Sequence, residues 1–326
     1  MKTFIKYPGG KAKELDVINE HKPNNIQRYF EPFVGGGSVF FDIDIDDSYI
    51  NDLSSDLILL YTLIQNKNAV FLDKLKKLNV IWKDLSTSNW NTIDFSFISN
   101  NAGIFSIFEK YKETEEKRKN SRAKKIMSQN TCEFDTEKIA ITALKAAFYC
   151  TIRYIYNTEK NDNIIRAISY YFMREFCYSS MFRFSSSGDF NVPYGGASYN
   201  NKNFDSKIEL IENYDIANTT IYNEDFGRFL ERFNFNETDF IFVDPPYDSE
   251  FCDYDGNCFD KTEQVRLAEQ LSKLPAKIMI IIKNTDFIYD LYHDKGFKIS
   301  SFDKRYSVNF YNRNSRDVEH LMITNY

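Results

Sequence analysis

The stretch Phe240-Ile241-Phe242-Val243-Asp244-Pro245-Pro246-Tyr247 decides the fold. Its first half is an apolar run of strand length. Its second half stops that strand, because paired prolines cannot continue a central ladder and stiffen the backbone at its carboxyl end. In open α/β sheets, ligands bind in the crevice outside that end. Asp244 is therefore predicted to face a ligand, and Tyr247 to stack on a planar ring.

Working outward, further strands are predicted at 219–222 and 277–282. Helical spacing over 262–274 and 286–294 separates strands from one another, and 297–302 and 318–324 read as two final strands. Toward the amino end, a short apolar run at 26–30 precedes glycines, and a helical pattern starts at Ser38. A second short strand ends at Asn51-Asp52, followed by helical spacing over 53–64. Strands alternating with helices imply a parallel, doubly wound sheet. The middle of the chain differs. Residues 66–213 carry few strand signals and many charged, helical stretches, with a turn-rich segment at 185–203. The expectation is an α/β sheet domain built from residues 1–65 and 214–326, with 66–213 as a mainly helical insert.

Phe33-Val34-Gly35-Gly36-Gly37-Ser38 follows the strand at 26–30. Glycines at a strand-to-helix turn let backbone approach a ligand, and the helix start offers N–H groups to an anion. No Gly-Lys-Ser/Thr follows, so this is not a Walker loop; alone, it also fits a plain tight turn. Asp52 stands where an acid can accept the ribose hydroxyls of an adenosine-containing cofactor, although a helix-starting acid looks the same. Lys6-Tyr7-Pro8-Gly9-Gly10-Lys11 reads by itself only as a turn leading into a helix.

With 43% hydrophobic and 17% aromatic residues, the chain can build a packed core, which excludes a disordered protein. The start is polar and the apolar run at 278–282 is too short to span a bilayer, so a cytoplasmic protein without membrane association is expected. The five cysteines (Cys132, Cys150, Cys177, Cys252, Cys258) form no C-x-x-C pair, and the three histidines are scattered. Reduced thiols and no metal site follow. The formal net charge is −6, yet 110–125 holds eight basic residues against three acids, a local excess of 8 − 3 = +5. That run reads either as a solvated helix face or as a phosphate-contacting surface with salt-dependent binding.

Taken in order, these stretches resemble the Dam-type (class alpha) adenine-specific DNA methyltransferases. That family opens with K-[WY]-x-G-G-K, matched by Lys6 to Lys11, and continues with E-P-F-x-G-[GA]-G-S-V-F, matched by Glu31 to Phe40. Asn51-Asp52 and Asp244 to Tyr247 match its N-D and D-P-P-Y. The insert matches in Arg183-Phe184 and in Gly188 to Gly195, and the ending, Ser307-Val308-Asn309 through Arg316 to Tyr326, resembles the family's terminal hairpin. There are two departures. Tyr178-Ser179-Ser180-Met181 stands where the family often has Tyr-Asn-Gly-Leu, and the insert is longer around 104–134.

The resemblance implies a Rossmann-like sheet that binds S-adenosylmethionine, with a target-recognition insert and double-stranded DNA as partner. It implies cofactor contacts at Tyr7, Lys11, Phe33, Gly35, Asp52, Asp225, Phe226 and Asp244. Asp244, Pro245 and Tyr247 are the implied catalytic residues, and Tyr178, Met181, Arg183 and Pro193 the DNA contacts. A cognate restriction endonuclease acting separately fits such an enzyme. Asp244 and the Pro245 carbonyl would accept both N–H groups of the adenine amine, freeing its lone pair for in-line methyl transfer, with Tyr247 stacked on the flipped base. The alternatives are a methyltransferase acting on another amine (DNA cytosine or RNA adenine) and a DNA-binding module with dead chemistry.

Overall fold

The computed structural model describes residues 3–87, 93–127, 135–246, 259–305 and 317–326. In its amino-terminal part, α1 (Leu15–His21) leads to β1 (Arg28–Glu31), α2 (Phe40–Ile43), β2 (Ser48–Asn51) and α3 (Ser55–Gln65). Helices follow: α4 (Ala69–Asp84), α5 (Ile104–Met127), α6 (Thr136–Thr158), α7 (Asn163–Phe176) and α8 (Asp205–Asn213). The chain then returns through β3 (Thr220–Tyr222), α9 (Phe226–Glu231), β4 (Asp239–Val243), α10 (Lys261–Leu271) and β5 (Lys277–Lys283). It ends with α11 (Asp286–His293), β6 (Lys298–Arg305) and β7 (Asp317–Thr324).

The strands form one seven-stranded sheet in the order β3-β2-β1-β4-β5-β7-β6. From β3 to β5 every pairing is parallel, with Phe30 opposite Ile241 and Phe242 opposite Met279. The purely parallel expectation fails at the far edge, where β7 runs antiparallel to both β5 and β6. The physical reason is connectivity: β6 and β7 pair directly with each other and need no helical crossover. After β1 the chain winds outward to β2, and after β4 it winds the other way to β5. The crevice outside the carboxyl ends of β1 and β4 is thus the topological switch point, where ligands bind in such sheets.

The chain forms two compact units. One holds Gly10–Ile58 and Ile216–Tyr326 and contains the sheet; the other holds Thr3–Gly9 and Leu59–Asp215. In the sheet unit, β4 is buried along its whole length. Phe30, Ile241, Val243, Ile278 and Ile280 pack on one face against Leu230, Leu267, Leu271 and Ile288 from the helices. Asp225, Asp260 and Thr285 cap α9, α10 and α11 by accepting backbone N–H bonds, each cap worth about 1 kcal/mol. The helix expected from Ser38 is only a single turn, because Asp44 adopts a left-handed backbone (φ 54°) and ends it.

In the helical unit, α6 is buried from Thr142 to Ile152. Trp82 sits among Phe148, Phe172 and Phe176, with ring centroids 6.1, 5.1 and 4.4 Å away. Residues Thr3–Gly9 join this unit through Phe4, whose ring contacts Tyr61, Tyr171 and Tyr214. No helix among the described residues is long and apolar enough to cross a membrane.

Candidate active site

Beyond β1 the chain turns through the glycines. Gly35 (φ 47°) and Gly37 (φ 70°) take left-handed backbone angles, which residues with a Cβ adopt only at a cost. The turn is held from β2: Val34 N–H donates to the Asn51 carbonyl at 2.9 Å, and Gly35 N–H donates to Asp52 Oδ2 at 3.0 Å. Asp52 Oδ1 accepts from Ser54 N–H at 2.9 Å. Buried Asn51 donates to the Pro32 and Glu224 carbonyls at 3.0 and 2.9 Å. The glycine turn and the acid of β2, read separately in the sequence, are thus one hydrogen-bonded structure.

An aromatic floor lies beside the turn. Phe33 and Phe226 are 5.4 Å apart, and Phe259 lies 5.5 and 5.6 Å from them. Asp225 caps α9 and also accepts two bonds from Arg266, at 2.9 and 2.6 Å. The guanidinium holds the Asp225 carboxyl below its usual range and lies 4.0 Å over the Phe226 ring. The sequence reading gave Asp225 to the cofactor and missed Arg266, which stands 41 residues away in sequence. A Cβ at Gly227 would stand 2.5 Å from the Arg266 guanidinium, so a side chain there would have to displace that arginine.

At the end of β4, Asp244 pairs through Oδ1 with Lys11 Nζ. Lys11 is only 2% exposed, so its charge is directed into the protein. Glu31 lies fully buried nearby and accepts a bond from the Tyr29 hydroxyl at 2.7 Å. Burial pushes the Glu31 carboxyl well up, the Tyr29 bond opposes this, and the Asp244 charge adds to it. Glu31 thus lies within electrostatic reach of the Lys11–Asp244 pair, and its burial makes it resist ionisation. Gln264 is buried on α10 and donates to the Pro246 carbonyl at 3.1 Å, bracing the proline pair. Neither Glu31 nor Gln264 was singled out as a site residue in the sequence. The two residues before Phe33 in the glycine segment gave a signal for the first; a glutamine within an amphipathic helix gave none for the second. Tyr247 lies outside the described residues.

The remaining candidates are in the helical unit. Tyr7 faces Arg174, whose guanidinium carbon lies 4.4 Å from its ring and 3.9 Å from Phe182. Tyr178, Met181, Arg183 and Pro193 share one folded-back segment. Antiparallel bridges join Cys177 to Tyr194 and Phe184 to Phe190, and Tyr178 N–H donates to the Pro193 carbonyl at 2.9 Å. Tyr178, Arg183 and Pro193 are exposed and Met181 is half-buried. Arg183 Nε donates to Asn191 Oδ1 at 2.9 Å. Ser179 and Ser180 both have left-handed backbone, φ 52° and 56°, the region that asparagine and glycine tolerate best.

Residues 7–308 match the family described as D12 class N6 adenine-specific DNA methyltransferase. The chain belongs to this family. Over its full length it is 26% identical to Type II methyltransferase M.CviBI of Paramecium bursaria Chlorella virus NC1A, and covers all of that protein. It is 28% identical to Type II methyltransferase M.MjaIII of Methanocaldococcus jannaschii, covering 99% of it. Over 97% of the chain it is 24% identical to DNA adenine methylase of Vibrio cholerae, covering 94% of that protein.

This D12-class methyltransferase transfers a methyl group from S-adenosylmethionine to the exocyclic amine of adenine in DNA. The family sets aside the cytosine, RNA and dead-module readings. The switch-point crevice fits such a donor. It offers a glycine turn in a conformation that side chains disfavour, an acid at the end of β2, aromatic rings, and a carboxylate at the end of β4. Because the target amine is paired inside a duplex, the base is extruded first, at a cost of about a few kcal/mol.

Proposed function

We propose that methyl transfer occurs at the carboxyl end of β4, with Asp244, Pro245 and Tyr247 acting on the adenine. A carboxylate has lone pairs on both oxygens. Asp244 accepts Lys11 on Oδ1 and receives one amine N–H on Oδ2, while the Pro245 carbonyl accepts the other. Drawing both N–H groups toward fixed acceptors moves the nitrogen toward tetrahedral geometry and releases its lone pair from the ring. The same acceptors stabilise the positive charge that develops on nitrogen, and the methylated ammonium, acidic once formed, then releases one proton to solvent. Lys11 holds the carboxylate in place, and Tyr247 stacks on the extruded base, worth about 1–3 kcal/mol. When bound, S-adenosylmethionine supplies the methyl group from its sulfonium.

In this reading Tyr7, Lys11, Phe33, Gly35, Asp52, Asp225, Phe226 and Asp244 hold the donor. Asp52 takes the ribose hydroxyls, and Phe226, with the Asp225–Arg266 pair, flanks the adenine. Residues 1–65 and 214–326 form the catalytic domain and 66–213 the target-recognition insert. There Tyr178, Met181, Arg183 and Pro193 meet the DNA, with Arg183 reading a base edge or a phosphate. The protein works in the cytoplasm, and the relatives named Type II methyltransferases support a separate cognate endonuclease.

The observation that carries the reading is the meeting of the glycine turn, Asp52 and Asp244 outside the carboxyl ends of adjacent strands. Asp244→Ala is expected to abolish transfer of a tritiated methyl group while the protein stays folded and binds DNA. Substantial retained transfer rejects the role.

A further inference from the structure

Asp244, Pro245 and Pro246 follow β4, and the sequence fixes the backbone of the first two. The residue before a proline is pushed into extended backbone by the ring that follows, so Pro245 holds Asp244 and Pro246 holds Pro245. Pro246 has its φ set by its own ring, but Tyr247 comes next, and no ring limits the ψ of Pro246. The rotation that remains turns one peptide plane, the one bearing the Pro246 carbonyl and the Tyr247 N–H. Neither proline has an N–H with which to anchor the stretch.

Gln264 supplies that anchor, since its Nε2 donates to the Pro246 carbonyl at 3.1 Å. Gln264 is itself held firmly. α10 starts on Asp260, whose carboxylate accepts from Thr262 and Glu263 N–H at 2.9 and 3.0 Å. The Asp260 carbonyl accepts from Gln264 N–H at 3.0 Å. Gln264, Leu267, Ala268 and Leu271 then form one buried row at helical spacing.

The glutamine is the misfit of that row. It is 0% exposed, at a position where an apolar side chain would pack like its three neighbours. Its Oε1 is buried and, among the described residues, has no hydrogen-bond partner, which costs stability. Pro246 is exposed, so its carbonyl could turn to water if Gln264 were absent. The bond therefore does little for stability, and what it adds is a fixed direction for one carbonyl. A buried polar group that breaks the local pattern in this way marks a functional position.

We propose that Gln264 is a positioning residue for methyl transfer. By taking the Pro246 carbonyl it fixes the last free torsion of the stretch. That leaves the Pro245 carbonyl for the adenine amine and sets the direction in which the chain runs on to Tyr247. The inference rests on the reading that Asp244, Pro245 and Tyr247 act on the adenine. The effect of Gln264 passes through the backbone and not through contact with donor or base.

The test uses full-length protein, S-adenosylmethionine and a duplex carrying the methylated sequence. Gln264→Met keeps the length of the side chain and removes the donor. Its single-turnover rate of methyl transfer should fall about 10- to 100-fold, as when reacting groups are misplaced by about 1 Å. Affinity for the demethylated donor product should stay within about twofold, and the melting temperature should be no lower than that of the wild type. A residue that only supports the fold would lower the melting temperature and leave the single-turnover rate alone. Gln264→His should recover most of the lost rate, because histidine Nε2 lies as many bonds from Cα as glutamine Nε2 and can donate. Gln264→Asn is one bond shorter and should recover none; these two variants decide the outcome if Gln264→Met fails to fold. A wild-type rate in Gln264→Met or Gln264→Asn overturns the proposal, and so does a histidine variant no faster than the asparagine one. Asp244→Ala is run alongside. If it abolishes transfer while Gln264→Met keeps the wild-type rate, this proposal falls and the reading of Asp244 stands; if Asp244→Ala retains transfer, both fall.

Discussion

At the residue scale, the buried lysine of α6 carries a consequence that its sequence context hides. Lys145 is 1% exposed. Its ammonium donates to the Asn200 carbonyl at 2.5 Å and lies 4.4 Å over the Trp82 ring. Burial lowers its pKa to about 8 from 10.5. Between those values the unfolded chain binds the proton more than the folded one does, so stability must rise with pH in that window. Below pH 8 the protein carries the whole cost of a buried charge. Denaturant unfolding at intervals from pH 7.5 to 10.5 is expected to show this rise, and Lys145→Met should remove it. Tyrosines such as Tyr149, whose burial raises their pKa, act in the opposite sense in both proteins and cancel in the comparison. Identical pH profiles for the two proteins would refute the assignment. A lysine within a helix reads as a surface residue, so only packing reveals it. Lys11 is different, since the resemblance had already marked it; what the sequence did not tell was that it pairs with Asp244.

At the scale of elements, the recognition segment contains a local conflict between sequence and backbone. Ser179 and Ser180 hold left-handed angles inside a short 3-10 turn, where the family often has Asn-Gly. Ser180 is 4% exposed, and among the described residues its hydroxyl has no hydrogen-bond partner. Ser180→Gly relieves the angle and removes a buried, unpaired hydroxyl, so it should stabilise the protein by about 1 kcal/mol. A rise of about 2–4 °C in melting temperature is the expected reading, and a fall would count against it. The same comparison shows why some elements were legible and others were not. β4 and β5 announced themselves by apolar runs, the first stopped by its paired prolines, and Asp286–His293 by helical spacing. The helix of Phe226–Glu231 escaped notice because six residues are too few for a period to emerge. The turn of Phe40–Ile43 was overextended because the acids after it look helical, whereas Asp44 turns left-handed. The antiparallel edge left no mark on composition, since strand direction is set by pairing; only the resemblance of the ending to a terminal hairpin pointed to it.

At the scale of the whole molecule, each unit has a buried core of its own. The sheet unit packs Phe30, Ile241 and Ile280 with Leu267 and Leu271. The helical unit packs Trp82, Phe148, Phe172 and Phe176. Most site residues divide accordingly, with Lys11, Gly35, Asp52 and Asp244 in the first, and Tyr178, Arg183 and Pro193 in the second; Tyr7, given to the donor in the proposed reading, is the exception and belongs to the second. A ligand stabilises only what folds in order to bind it, by RT ln(1 + [L]/Kd). Calorimetric unfolding should therefore resolve two components that respond to different ligands. The demethylated donor product at about 100 times its Kd should add about 2.7 kcal/mol to one component, moving it by about 5–10 °C. Short duplex DNA should move mainly the other. Asp52→Ala should cancel the first shift and spare the second, and Arg183→Ala should do the reverse. A single transition that both ligands shift together would mean that the units unfold as one body, and the division of labour between a donor-holding sheet and a DNA-reading insert would then lose its energetic basis.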